Sequence, residues 1–154
     1  MSTLDTVRSF LAEEHGLAVV STVQADGAVL STVVNCGVID HPVTDEPRLA
    51  FVSLGGAARL RHIRGGSPVT AAIRRGWNWV AVTGAAELIG PHDDAFELDP
   101  DRIRTLLREV FTAAGGNHDD WDTYDQTMRD QARTAVLINP DRIRDIIGPG
   151  GKMI

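Results

Sequence analysis

The chain has 154 residues, 43% of them hydrophobic and 23% charged, the balance of a globular domain rather than of a disordered segment. Its formal net charge of −6 argues against DNA or RNA as a partner, which calls for a basic excess. No apolar run approaches the ~18 residues of a membrane span, so no membrane association is expected. The opening "MSTLDTVRSFLAEEHG" lacks a basic stretch followed by an apolar one, so no secretory signal is expected either. Cys36 is the only cysteine and cannot form an internal disulfide; a cytoplasmic location fits it. Length predicts one domain over residues 1–154.

"STLDTVRSFLAEEHG" predicts a first helix, capped by Ser2 or Thr3, with Leu4, Val7, Phe10 and Leu11 on one face and Gly16 just past its end. In "LAVVSTVQADGAVLSTVVNCGVI" two β-branched runs flank "QADG", whose Asp-Gly is a hairpin signal. "RLAFVSL", Arg48 to Leu54, predicts a third strand. "GGAARLRHIRGG" then predicts one or two helical turns, because Ala57, Leu60 and Ile63 recur at three-residue spacing. After Pro68, "VTAAI" predicts a fourth strand, and "WNWVAVTGAAELIG" a long fifth one with a bulge or bend at Gly84. "DPDRIRTLLREVFTAAGG" predicts an amphipathic helix with Asp99 as cap, Pro100 at its first position and Gly115-Gly116 closing it. "DDWDTYDQTMRDQAR" predicts another helix. "TAVLINPDRIRDIIG" predicts a last strand, broken at Pro140 and resuming from Ile143 to Ile147. Hairpin-linked strands with few βαβ units favour a small antiparallel barrel over a Rossmann sheet.

The familiar catalytic signatures are missing. His15, His41, His62, His92 and His118 are scattered, with no H-x-x-H or Cys-x-x-Cys pair, so no metal site is expected. There is no G-x-S-x-G, no Walker loop and no G-x-G-x-x-G, and Cys36 reads as a small packed side chain. Two features remain. Arg59, Arg61 and Arg64 crowd a short turn between glycine pairs, which suits either a phosphate or carboxylate ligand or a solvated basic turn. Trp77 and Trp79 are two apart in a strand pattern, so both indoles are expected on one face, where they would wall a flat ring, fill a core or meet a second subunit.

With these segments in place, the chain resembles the split β-barrel superfamily related to pyridoxamine-phosphate oxidase, whose members bind FMN or a deazaflavin. The resemblance runs through "GLAVVSTVQADGAVLSTVV", "FVSLGGAARLRHIRGGSPVTAAI", "GWNWVAVTGAAELIGP", "HDDWDTYDQTM" and "RTAVLINPDRIRDIIG". Within that superfamily it is most similar to the actinobacterial B-type oxidoreductases that use coenzyme F-420. The resemblance implies a mainly β fold with helices, a split β-barrel, and a homodimer with its cofactor clefts at the subunit interface. It implies a cofactor phosphate on the basic turn, where members show "R-x-K-x-R-N-L". Here Arg59 stands at the lysine, Arg61 at the following arginine and His62 at the asparagine, with Leu60 between the two arginines. Ala57 or Ala58 replaces the first arginine, and the spacing before it is one residue shorter.

Along "VLSTVVN", the resemblance places Ser31, Thr32, Val33 and Asn35 beside the ring system. Ser53 joins the same set, and "GWNW" makes Trp77 and Trp79 walls for ring or substrate. Lys152, in the tail "GPGGKMI", is the remaining candidate. The implied activity is hydride transfer between coenzyme F-420 and a small unsaturated or planar substrate. The alternatives are an FMN-dependent relative, or a non-catalytic protein binding the cofactor or a tetrapyrrole.

Overall fold

A computed structural model describes residues 3–93 and 95–146. In chain order its elements are α1 (Leu4–Glu13), β1 (Leu17–Val23), β2 (Val29–Asn35), β3 (Gly37–Asp40), β4 (Pro47–Ser53), α2 (Ala58–Arg64), β5 (Val69–Arg75), β6 (Asn78–Gly84), β7 (Ala86–Ile89), α3 (Pro100–Ala113), α4 (Trp121–Asp130), β8 (Thr134–Ile138) and β9 (Arg142–Ile146). Helices α1, α3 and α4 start on side-chain caps, at Thr3 and Asp99 as the sequence predicts and at Asp120, which it did not single out. Thr3 Oγ1 accepts from Asp5 N at 3.2 Å, Asp99 Oδ1 from Arg102 N at 2.8 Å, and Asp120 Oδ1 from Thr123 N at 3.1 Å. In the β1–β2 hairpin, Asp26 Oδ1 accepts from Ala28 N at 2.9 Å, which sets the turn the Asp-Gly pair predicts.

The strands form two antiparallel sheets, one ordered β2-β1-β5-β6-β9 and the other β3-β4-β8-β7. Three stretches that read as continuous or merely interrupted strands each divide between the sheets. The chain crosses at Cys36 between β2 and β3, at Ala85 between β6 and β7, and at residues 139–141 between β8 and β9. Alternating apolar residues specify a strand and its faces, but not the sheet in which its far half will pair. The last two crossings touch: Asn139 N donates to Ala85 O at 2.9 Å. A Cβ on Gly84 would collide with the Asn139 carbonyl, so the predicted bend is a close backbone crossing that only glycine permits.

Between the sheets lies a core of Ala18, Val20, Leu49, Phe51, Ala71, Ile73, Val80, Val82, Val136 and Ile138, joined by Val7 and Phe10 of α1 and by Leu60 and Ile63 of α2. A second core lies on the other face of the four-stranded sheet, where Ala50, Ala135 and Leu137 meet Leu106, Leu107 and Val110 of α3 and Tyr124 of α4. All five residues of β8 are buried, because that strand has apolar layers on both sides. The outer face of the five-stranded sheet is the exception. Leu17, Val19, Val23, Val29, Val33 and Trp79 point outward there and are exposed. Among the described residues, no helix is long and apolar enough to cross a membrane.

Candidate functional site

The alternation of β2 divides the residues expected beside a ring. Thr32 points to the inner side, while Ser31, Val33 and Asn35 lie on the exposed outer face. β2 is an edge strand among the described residues, so the backbone along one of its sides has no strand partner there.

On the inner side, Arg59 ties three elements together. From the first turn of α2, its Nη2 donates to Thr32 Oγ1 at 2.9 Å and its Nη1 to Ser53 Oγ, at the end of β4, at 3.0 Å. Ser53 Oγ donates in turn to Leu54 O at 3.1 Å. The guanidinium carbon lies 5.8 Å from the Phe51 ring centre, completing an apolar backing. Two of the five N–H donors are thus used, both on neutral hydroxyls, and Nε is buried with no hydrogen-bond partner.

Burial lowers the Arg59 pKa from its usual value, and the nearby charge of Arg133 lowers it further. Arg133 arrives from the turn after α4. Gly55 N donates to Gln131 O at 3.1 Å, a Cβ on Gly55 would press on Ala132, and Ser53 pairs with Thr134 across β4 and β8. The Arg133 Nε is held by Gln131 Oε1 at 2.8 Å, and Arg133 forms no ion pair with a carboxylate among the described residues. Two neighbouring guanidiniums beside two hydroxyls are suited to an anion, which would offset their repulsion. Arg133 went unnoticed in the sequence because it lies far from the basic turn; only the β4–β8 register brings it there.

The rest of the turn is put to different uses. Arg64 grips Asp93 with two contacts, Nε to Oδ1 at 3.0 Å and Nη2 to Oδ2 at 2.6 Å, and this hydrogen bonding raises its pKa. Arg61 is exposed and makes no hydrogen bond or ion pair with the described residues. The Leu60 side chain is fully buried in the inter-sheet core, so only its backbone could meet a ligand. His62 docks α2 onto β1, its Nδ1 lying 2.9 Å from Thr22 Oγ1.

On the outer face, Ser31 Oγ and Ser21 Oγ are 2.8 Å apart, Val33 stands opposite Val19, and Asn35 Nδ2 donates to His15 O at 2.9 Å. Trp79 shares this face. Contrary to the strand expected over "WNWVAVTG", Trp77 lies outside β6, because Arg75 pairs with Asn78 and leaves Gly76 and Trp77 as a two-residue turn. Gly76 takes the positive φ of 63° that such a turn needs at its first position. Trp77 therefore stands at a hairpin tip, 62% exposed. Within one chain β1 and β5 separate β2 from β6, so Trp79 lies about 14 Å across the sheet from β2 at ordinary strand spacing. Lys152 lies outside the described residues.

No protein-family model and no curated protein matches the sequence. Solved structures do match. A pyridoxamine 5'-phosphate oxidase-related, FMN binding protein from Nostoc punctiforme aligns over 94% of this chain and 86% of its own, with 14% identity and a TM-score of 0.63. An F-420 reductase aligns over 83% and 88%, with 14% identity and a TM-score of 0.56. A heme binding protein from Mycobacterium smegmatis aligns over 97% of this chain but 56% of its own, with 12% identity and a TM-score of 0.64. At such identities the likeness shows the fold: the two antiparallel sheets are arranged as in FMN-binding split-barrel proteins related to pyridoxamine-phosphate oxidase.

Proposed function

We propose that this single-domain chain is a homodimeric oxidoreductase that uses coenzyme F-420 to move a hydride to or from a small unsaturated or planar substrate. The observation that carries the proposal is the unsatisfied Arg59 guanidinium, fixed between Thr32 and Ser53 and shadowed by Arg133. Arg59 and Arg133 would hold the phosphate of the cofactor, and exposed Arg61 its acidic tail. Bound there, a deazaflavin supplies the hydride chemistry, and the chain's own work is to bind, orient and exclude water. Ser31, Val33 and Asn35, with the free edge of β2, would lie along the ring.

Two features of the same face support the homodimer. Its valines and Leu17, with Trp79 further across the sheet beyond Arg74, are exposed apolar side chains that none of the described residues covers. Trp79 is also too far across the sheet to meet a ring held at β2 of its own chain, so a second copy would have to bring its tryptophan there. The site is incomplete without the partner.

FMN is the second reading, because its phosphate would suit the same two arginines and a fold neighbour is an FMN binding protein. A heme binding neighbour keeps a tetrapyrrole-binding, non-catalytic protein in view. Parallel fluorescence titrations of the purified protein with coenzyme F-420, FMN and heme separate the three. The proposal expects micromolar binding of coenzyme F-420, weaker binding of the others, and oxidation of the reduced coenzyme by an added acceptor. Tighter FMN or heme binding, or tight coenzyme binding with no turnover, would overturn it.

A further inference from the structure

On the far side of the four-stranded sheet, a cavity of about 950 Å³ opens between α3, α4 and the turn at Gly90 and Pro91. Its volume is within the range of small-molecule sites, and Pro91, Ile103, Leu107 and Met128 give it an apolar floor. The charges around its rim are unevenly matched. Asp125 is bound by Arg108 through Nε to Oδ1 at 2.9 Å, by a second Arg108 contact from Nη2 to Oδ2, and by Arg104 at 3.6 Å. Asp101 is paired with Arg104 at 3.4 Å.

Arg129 and Arg133 are matched only by neutral amides: Arg129 Nη2 donates to Gln126 Oε1 at 2.8 Å, and Arg133 Nε to Gln131 Oε1 at 2.8 Å. Neither has a carboxylate partner among the described residues. Asp122, also without an ion pair there, lies seven residues before Arg129 on α4, about 10 Å along the helix. The cavity thus has an apolar floor, two cations without carboxylate partners among the described residues, and Asp122 about two helical turns from Arg129.

We propose that this cavity is a second small-molecule site, taking an amphipathic carboxylate whose apolar body rests on Ile103, Leu107 and Met128 and whose acid group is held by Arg129 and Arg133. Asp122 disfavours a second negative charge, which selects a monoanion. Its apolar floor and Arg129 come from α3, α4 and the turn at Pro91, on the opposite side of the four-stranded sheet from Thr32, and it shares Arg133 alone with the proposed cofactor site. Arg133 belongs to both surroundings, so it is a poor discriminator, and Arg129 is the informative residue.

The test is a pair of NMR titrations of the amide signals of the full chain, one with phenylbutyrate and one with phenylbutylamine, which share a body and differ in charge. Phenylbutyrate is expected to shift Gly90, Leu107, Met128 and Arg129, and phenylbutylamine to bind much more weakly. Arg129→Ala should weaken phenylbutyrate about tenfold, as expected for a lost charge-assisted contact. Met128→Trp should abolish binding of both probes by filling the floor, and Arg59→Ala should change neither. Equal binding of acid and amine, an unchanged affinity in Arg129→Ala, or shifts centred on Thr32 and Ser53 would each overturn the proposal.

Discussion

Replacing Val33 with lysine tests whether the bare sheet face is a subunit interface. Val33 is 63% exposed and sits opposite Val19 on the outer face of edge strand β2. Full burial of a valine side chain is worth about 1.5 kcal/mol, so the exposed part corresponds to roughly 1 kcal/mol per copy. A two-fold interface counts every contact twice, giving about 2 kcal/mol for lost burial alone. Desolvating two ammonium groups raises this to about 2–4 kcal/mol, or roughly thirty- to a thousandfold in the dimer dissociation constant. Sedimentation equilibrium over a concentration series reads that constant directly. Val43→Lys is the control, since Val43 is 54% exposed but lies in the loop after β3, away from this face. The reasoning is refuted if wild type sediments as a monomer at micromolar concentration, or if both lysine variants associate as wild type does.

Three further outcomes are expected. Hydrogen bonding from Arg108 holds the Asp125 carboxyl below the usual carboxylate range, so its contribution is complete at neutral pH and is lost as pH falls through that depressed value. Urea midpoints should therefore favour wild type over Asp125→Asn at neutral pH, with the gap closing on acidification; a gap that widens contradicts the assignment. Gly84→Ala should unfold the protein or lower its melting temperature severely, because the new Cβ meets the Asn139 carbonyl, whereas Gly56→Ala, with open space around it, should not. Burial pushes the Cys36 thiol up to about 12, so iodoacetamide should leave it intact in the folded protein at mildly alkaline pH and label it in denaturant; labelling at equal rates would contradict its burial.

Much of the local structure could be read from single residues. Thr3, Asp99 with Pro100, and Asp26 with Gly27 each announce a cap or turn whose hydrogen bonds involve near neighbours in sequence. The sheet crossings could not be read, because whether the chain after Cys36, Ala85 or Asn139 pairs in one sheet or the other depends on strands far away. Trp77 was misjudged for a local reason: Gly76 turns the chain one residue before it.

The basic turn shows the same division. Its three arginines look alike in sequence, yet Arg64 is taken by Asp93, Arg61 is exposed with no partner among the described residues, and Arg59 is drawn inward by Thr32 and Ser53. Ala57 and Ala58 bring no guanidinium to this turn, and the second charge felt by Arg59 is that of Arg133, more than seventy residues downstream of Ala58.

Titration of coenzyme F-420 against Arg59→Ala, Arg133→Ala and Arg64→Ala tests the central claim most directly. With folding checked by thermal melting, the first two should each lose about ten- to a hundredfold in affinity, the effect of removing one charge-assisted contact. Arg64→Ala should bind within about twofold of wild type, since its guanidinium is already committed to Asp93. An Arg59→Ala protein that binds like wild type, or an Arg64→Ala protein that loses as much, would contradict the account.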